Sequence, residues 1–356
     1  MKHLLLACVA VAALAVPSAA LTAGASNTYT VYLGDQSEIP GGFKKYPVLL
    51  NQFLPSKVVI SAGDKVTFSS ATFHTATYAP KPFPLFLPDP GKGTYTGIVG
   101  ADNQPFHFDG KPKFVYNGQA FAPFGPKTIA GAPASSGALS PRGPKAPPAT
   151  ATFTFPEPGS YKFFCTVHPG MQGTVVVKPP GSAVPKTPAQ VSAEALAAQT
   201  KAWDNGKKLI ASAKIPANTV AMGLGGKVTA LAFLPKVLNV KAGTTVSFVN
   251  KSPSEPHNLT FGPPKYIEKL GKKIDLFPEG PKGPNQVAPV LTYGSDPKPY
   301  TYDGKTHGNG FFVTELTAGA PIGLPRSSKV TFTTPGTYKY FCWIHGPDMG
   351  GTIVVK

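Results

Sequence analysis

Carboxylates are scarce in this chain: 17 Asp and Glu stand against 34 Lys and Arg, for a formal net charge of +17. Few groups therefore change charge as pH falls, and the positive excess suits docking to acidic proteins or to an anionic envelope surface. Nucleic acid is not an expected partner, because Lys and Arg are spread along the chain and no recognition motif accompanies them. Long apolar runs are missing beyond the first residues, so no transmembrane helix is expected in the mature protein. Cysteine is limited to Cys8, Cys165 and Cys342, too few for a disulfide-dense scaffold. Helix signals are also rare and concentrate in one stretch near the middle.

Glycine and proline are abundant by contrast, at 38 and 41 residues, while charged residues make up only 14%. That mixture predicts many turns between short strands. A length of 356 residues exceeds what one core usually organises, so two domains are expected. The opening "MKHLLLACVAVAALAVPSAALTAGAS" has one Lys, an apolar run from Leu4 to Val16 and small residues after it, the pattern of a secretory leader over residues 1–25. An exported protein, periplasmic or extracellular, is expected. Cleavage removes Cys8 and leaves two cysteines, which in an exported protein would by default form one disulfide.

An internal repeat argues against that default. "FLPSKVVISAGDKVTF" from Phe53 aligns with "FLPKVLNVKAGTTVSF" from Phe233, an offset of 180 residues. "FTFPEPGSYKFFCTVH" aligns with "VTFTTPGTYKYFCWIH", which places Cys165 on Cys342 and His168 on His345 at an offset of 177. Between them, "FHFDGKPKFV" from Phe106 resembles "YTYDGKTHGNGFFV" from Tyr300. Two cysteines at the same place in two copies each serve a local purpose more naturally than they pair with one another. Alternating apolar and polar residues, rich in Val, Phe, Thr and Tyr, predict a β-sandwich in each copy, with "GTVVV" and "GTIVV" as last strands. The expected division is 27–180 for the first domain, 181–216 for a linker and 217–356 for the second. In the linker, Thr187 as N-cap, Pro188 at the first helical position and Gln190 completing a capping box predict a helix packed on one domain and ended or weakened at Gly206.

Each copy assembles a particular set of donors. Cys165, His168 and Met171 lie on one short loop between strands, and so do Cys342, His345 and Met349. A further histidine follows the same strand in each copy: His74 after "KVTFSS" and His257 after "TVSFVN". One thiolate, two imidazoles and a weak axial thioether are what copper takes in an electron-transfer site. Zinc could use the Cys and His donors, although a structural zinc site closes with Cys or His and not with a thioether. Met171 and Met349 could also be core residues. His107 and His307 lie in long inserts without matching spacing and read as surface or packing residues.

The order of His, then Cys-x-x-His, then Met before a final strand resembles the cupredoxins, the blue copper proteins. "CTVHPGMQGTVVV" is similar to the ligand loop of amicyanin, and "EPHNLTF" to the first-histidine loop of plastocyanin and amicyanin. The resemblance implies an all-β chain of two tandem Greek-key β-sandwiches joined by a helical linker, with a type 1 copper site in each. It makes His74 and His257 the inner imidazoles, His168 and His345 the outer imidazoles near a docking surface, and Met171 and Met349 the axial ligands. Copper oxidases and nitrite reductases of this kind place a His beside the Cys, whereas Cys165 follows "FF", Cys342 follows "YF", and no His-x-His occurs. An electron carrier between redox proteins is therefore expected, not an enzyme. Copper storage or delivery is the other reading, although the Met-rich tracts of copper handlers are missing among four Met. The inserts between the first His and the Cys should add a hairpin and long loops near the metal end, and Trp343, in place of Thr166 beside the ligand, is expected to alter the docking surface.

Overall fold

The computed structural model describes residues 26–36, 47–141, 146–274, 286–319 and 324–356, so the leader lies outside the described residues. In the first half a four-stranded sheet runs in the order Ala149–Thr154, Lys65–Ser70, Thr28–Leu33, Phe53–Leu54. It packs on a five-stranded sheet ordered Lys57–Ser61, Gln172–Lys178, Gly159–Phe164, His74–Tyr78, Ala134–Leu139. Neighbours are often non-consecutive: Thr28–Leu33 lies parallel to Lys65–Ser70, and Lys57–Ser61 parallel to Gln172–Lys178. Valine alternation explains the last strand, where Val175 and Val177 are buried while Thr174 and Val176 are half-exposed. The rings of Phe68 and Phe163 meet between the sheets with centroids 4.7 Å apart.

The second half repeats the plan. Its strands Tyr300–Tyr302, Ser327–Phe332, Thr244–Lys251, Thr219–Leu224 and Val228–Leu234 form one sheet. Val237–Val240, Gly346–Val355, Gly336–Cys342, Thr260–Phe261 and Phe312–Val313 form the other. The chain is thus all-β, two sandwiches with a helix between them. The two are not merely tethered, because strand Val48–Leu50 of the first half pairs antiparallel with Val228–Leu234 and becomes the sixth strand of a second-half sheet.

The linker helix spans Pro188–Ala211 and starts as its sequence predicts, with Thr187 and Gln190 exchanging side-chain-to-backbone hydrogen bonds. It does not stop at Gly206. A Cβ at that residue would lie 2.5 Å from Val48 Cγ1, so glycine is there to let the helix approach the strand, not to break it. Nor does the helix rest on one half. Ala195, Ala202 and Trp203 pack with Val48, Leu50 and Leu54, while Leu209 and Ile210 pack against the second-half residues Ala221 and Ala230. Trp203 donates its indole N–H to Asp35, whose other carboxylate oxygen accepts from the Leu50 amide at 3.1 Å.

The inserts interlock. The first holds the expected hairpin, Phe86–Pro88 against Phe114–Tyr116. Its Tyr95, Phe106 and Phe108 share a buried cluster with Ile267 and Leu270 of helix Pro264–Lys273, and with Val290, Leu291 and Phe311 of the second insert. Tyr95 Oη donates to the Val287 carbonyl at 2.7 Å, and the Val287 amide donates to Phe114 at 2.8 Å. The likeness between the sequences at Phe106 and Tyr300 holds at the turn, where Gly110 and Gly304 have φ of 75° and 82°, but not at the aromatics before it. Tyr300–Tyr302 is a sheet strand, whereas Phe106 and Phe108 fill the cluster between the halves. Trp343 lies in that cluster, edge-on to Phe311 with centroids 5.9 Å apart, and is buried instead of forming a docking surface.

Candidate metal centres

Strand order brings the donors together. His74 opens the strand His74–Tyr78, which lies beside Gly159–Phe164, and Cys165 follows directly on the latter. The loop then turns back, with the Cys165 amide donating to the Met171 carbonyl at 2.9 Å and the Met171 amide to His168 at 3.1 Å. This leaves Cys165 Sγ 3.5 Å from His168 Nδ1 and 4.0 Å from His74 Nδ1, with the two nitrogens 3.0 Å apart. The second half builds the same triangle from Cys342, His345 and His257, with edges of 3.3, 3.8 and 3.2 Å. Each triangle has its centre about 2 Å from every corner, close to the roughly 2.0–2.3 Å over which a metal binds imidazole and thiolate.

Both cysteines are free and buried, which removes the disulfide. Among the described residues these two clusters are the groups of three or more His, Cys, Asp or Glu close enough to hold an ion, and His107 and His307 belong to neither. His307 instead faces Asp296 at 3.2 Å and packs on Phe106. Met171 and Met349 are buried in the cores of their halves, Met171 on the loop after His168 and Met349 inside the strand Gly346–Val355, not on the loop expected for it.

In the metal-free protein each triangle pairs a thiolate with an outer imidazole that favours its protonated form and has to release a proton when a metal binds. Burial pushes the Cys165 thiol up, but the His168 charge and hydrogen bonds from both imidazoles outweigh it and hold the thiol well below its ordinary value. Cys342 behaves alike with His345 and His257. Burial pushes the outer imidazoles down, yet His168 ends raised by Glu255 and Cys165, and His345 is raised to about 10 by Cys342 and Glu255. The inner imidazoles of His74 and His257 are lowered, chiefly by burial. Each site thus offers a thiolate and a neutral imidazole beside an outer imidazole whose second nitrogen is held by a carboxylate.

Several residues of the site escape a sequence reading. Thr75 Oγ1 accepts from the Thr166 amide at 2.8 Å, and Asn258 Oδ1 accepts from the Trp343 amide at 2.9 Å. The residue after the inner His therefore pins the residue after the Cys in both halves. Gly34, at φ +66°, backs His74: a Cβ there would lie 2.3 Å from its Nε2 and 2.6 Å from the Leu50 carbonyl. Gly223, at φ +68°, backs His257 at 2.5 Å. Gly34→Ala is expected to lower metal affinity at the first site only, and Gly223→Ala at the second only. Each should also cost at least about 1–2 kcal/mol for the left-handed backbone, read by calorimetric metal titration and thermal unfolding.

The outer imidazoles are not exposed. His168 is 7% exposed, and His345 faces the same way from the other half. Between them lies Glu255, 2% exposed, with His168 Nε2 3.4 Å from its Oε1 and His345 Nε2 3.4 Å from its Oε2. The expected docking face at these histidines is the contact between the two halves.

The family model for copper binding proteins of the plastocyanin/azurin family matches residues 142–178 and 220–356. A plastocyanin of Prochlorothrix hollandica is 31% identical over 152 residues, covering 42% of this chain and 83% of that protein. The chain belongs to the plastocyanin/azurin family of copper-binding proteins. A second relative in this family, the chloroplastic plastocyanin of Physcomitrium patens, is 29% identical over 157 residues, or 42% of this chain and 69% of that protein. Among solved structures, a mutant fern plastocyanin shares 22% identity over 39% of this chain and 99% of its own, at a TM-score of 0.22, a level that carries no argument. Copper fits what this member of the family presents, since one soft thiolate and two imidazole nitrogens surround each triangle.

Proposed function

We propose that this is an exported electron carrier with two type 1 copper sites, passing single electrons between protein partners. The observation that carries the reading is the duplicated Cys-His-His triangle, with a buried Met a few residues after each outer His, in a chain of a copper-binding family. His74, Cys165, His168 and Met171 would hold one ion, and His257, Cys342, His345 and Met349 the other. Copper bound there supplies one-electron chemistry between its cuprous and cupric states. The chain's part is to keep the donors still: the Thr75 and Asn258 hydrogen bonds and the Met171 amide and carbonyl leave the ligand loops little freedom to rearrange. A further hydrogen bond, from the Thr75 amide to Cys165 Sγ at 3.4 Å, draws charge off the thiolate.

Partners are expected to be redox proteins with acidic faces, because this chain carries +17. Export is proposed from the leader at residues 1–25. Among the described residues no helix is long and apolar enough to cross a membrane.

Titrating reduced protein with Cu(II) tests the reading. Two equivalents should develop an intense thiolate-to-copper absorption, and both ions should cycle reversibly in voltammetry. Copper that leaves on each reduction would replace the carrier with storage or delivery. Absence of the band would overturn the ligand assignment and return zinc to consideration.

A further inference from the structure

The position of Glu255 has no counterpart in the repeat. The first half has Phe73 before His74 and Thr72 two positions before it, where the second has Pro256 and Glu255 before His257. The carboxylate is therefore supplied once, by the second half, and is shared. It is buried at the contact of the halves, and Asn51 Nδ2 of the first half donates to its Oε1 at 2.6 Å. Asn51 also reaches Ser254 Oγ at 3.0 Å, and Asn250 Nδ2 holds the Glu255 backbone carbonyl at 2.9 Å. The side chain is thus fixed from both halves, with one oxygen toward each outer imidazole.

We propose that Glu255 is a positioning residue for both metal sites at once, so that the two sites form one coupled centre and not two independent ones. The inference rests on the copper reading of the triangles. A ligand imidazole that gives its other N–H to a carboxylate is locked in one tautomer and orientation and becomes a stronger donor. Here the Nδ1 atoms face the triangles and the Nε2 atoms face Glu255, the arrangement that leaves Nδ1 free for a metal. One carboxylate serving two imidazoles makes the sites interdependent. Charge gained at one site draws on the same anion that supports the other, and the effect is reciprocal by linkage. Few other anions are near enough to share this duty: among the described residues, the ion pairs of His168 and His345 are both with Glu255.

The distinguishing consequence is that a substitution in the second half alters the metal site of the first. Copper-loaded Glu255→Gln protein, compared with wild type, is expected to bind Cu(II) about 10–100-fold more weakly at both sites. Each site is read separately in Cys165→Ser and Cys342→Ser backgrounds. Both reduction potentials are expected to rise together, by about 59 mV for each tenfold of affinity lost by the cupric form alone. A change confined to the second-half site, or to neither, overturns the proposal. A wild-type protein without the absorption bands would instead defeat the copper reading, so the two failures are distinguishable.

A second measurement does not depend on how the Gln variant folds. In Cys165→Ser protein loaded with Cu(I) at the intact second site, the imidazole Nε2–H resonance of His168 should shift relative to the metal-free form. A shift seen only at His345 overturns the shared role.

Discussion

Cys165→Ser is expected to remove one of two bound copper equivalents with its absorption band, and Cys342→Ser the other. The reason is the donor. Cys165 is held as a thiolate against the cost of burial by His168 and His74, and thiolate is the soft ligand that gives copper its affinity and its charge-transfer band. A serine hydroxyl stays protonated there and offers a hard oxygen. The fold should tolerate the change at a cost on the order of 1 kcal/mol, because the neighbouring Thr166, His74 and His168 keep their own partners: Thr75, Ala120 and Glu255 hold Thr166 and His168. Optical titration of each variant checks this. Two full equivalents of blue copper in either variant would take that cysteine out of the site.

Trp203→Ala should destabilise the protein by about 3–5 kcal/mol. It empties a place in the cluster that joins the linker helix to Val48, Leu50 and Leu54, and so loosens both halves from the helix. It also takes away the indole donor of Asp35. Burial pushes the Asp35 carboxyl up to about 6, against the hydrogen bonds of Trp203 and Leu50. A group raised in the folded state binds a proton there before it does in the unfolded chain. The Asp35 contribution to the stability of the metal-free protein should therefore rise as pH falls from about 6 towards 4, by up to about 3 kcal/mol. It runs against the opposite trend of His74 and His257, whose lowered values cost stability as pH falls below the ordinary imidazole value. Glu255 opposes this only at the acid end of the window. Its folded value is depressed, so its contribution is held above the ordinary carboxylate value of 4.5 and lost only below it. Unfolding midpoints of wild type, Trp203→Ala and Asp35→Asn measured from pH 4 to 8 read the Trp203 loss and isolate the Asp35 contribution. A difference between wild type and Asp35→Asn that stays flat from pH 6 to 4 would contradict the Asp35 account.

The donors and the strands were legible for a local reason. Cys-x-x-His spacing, a Met before a last strand and apolar alternation are all short-range patterns, and the repeat doubles each one. The capping box at Thr187 and Gln190 was legible in the same way. Gly206 misleads because a glycine in a helix reads as a break, whereas its lack of a side chain serves a contact with Val48, more than 150 residues away. Trp343 misleads similarly. Its neighbour Cys342 suggests a surface beside the metal, but the inserts from both halves close over it.

Composition and spacing alone determined that this chain is two β-sandwiches, that each brings one Cys and two His together, and that a helix lies between them. Those properties depend on residues close in sequence or related by the repeat. How the halves face one another was decided only in three dimensions, by Val48–Leu50 crossing into the second sheet, by the linker helix packing on both halves, and by the interlocked inserts. That arrangement buries His168, half-buries His345 and sets Glu255 between them. A single carboxylate beside Pro256 carries no sign in the sequence that it will serve a histidine of the other half, because its role is fixed by packing and not by spacing.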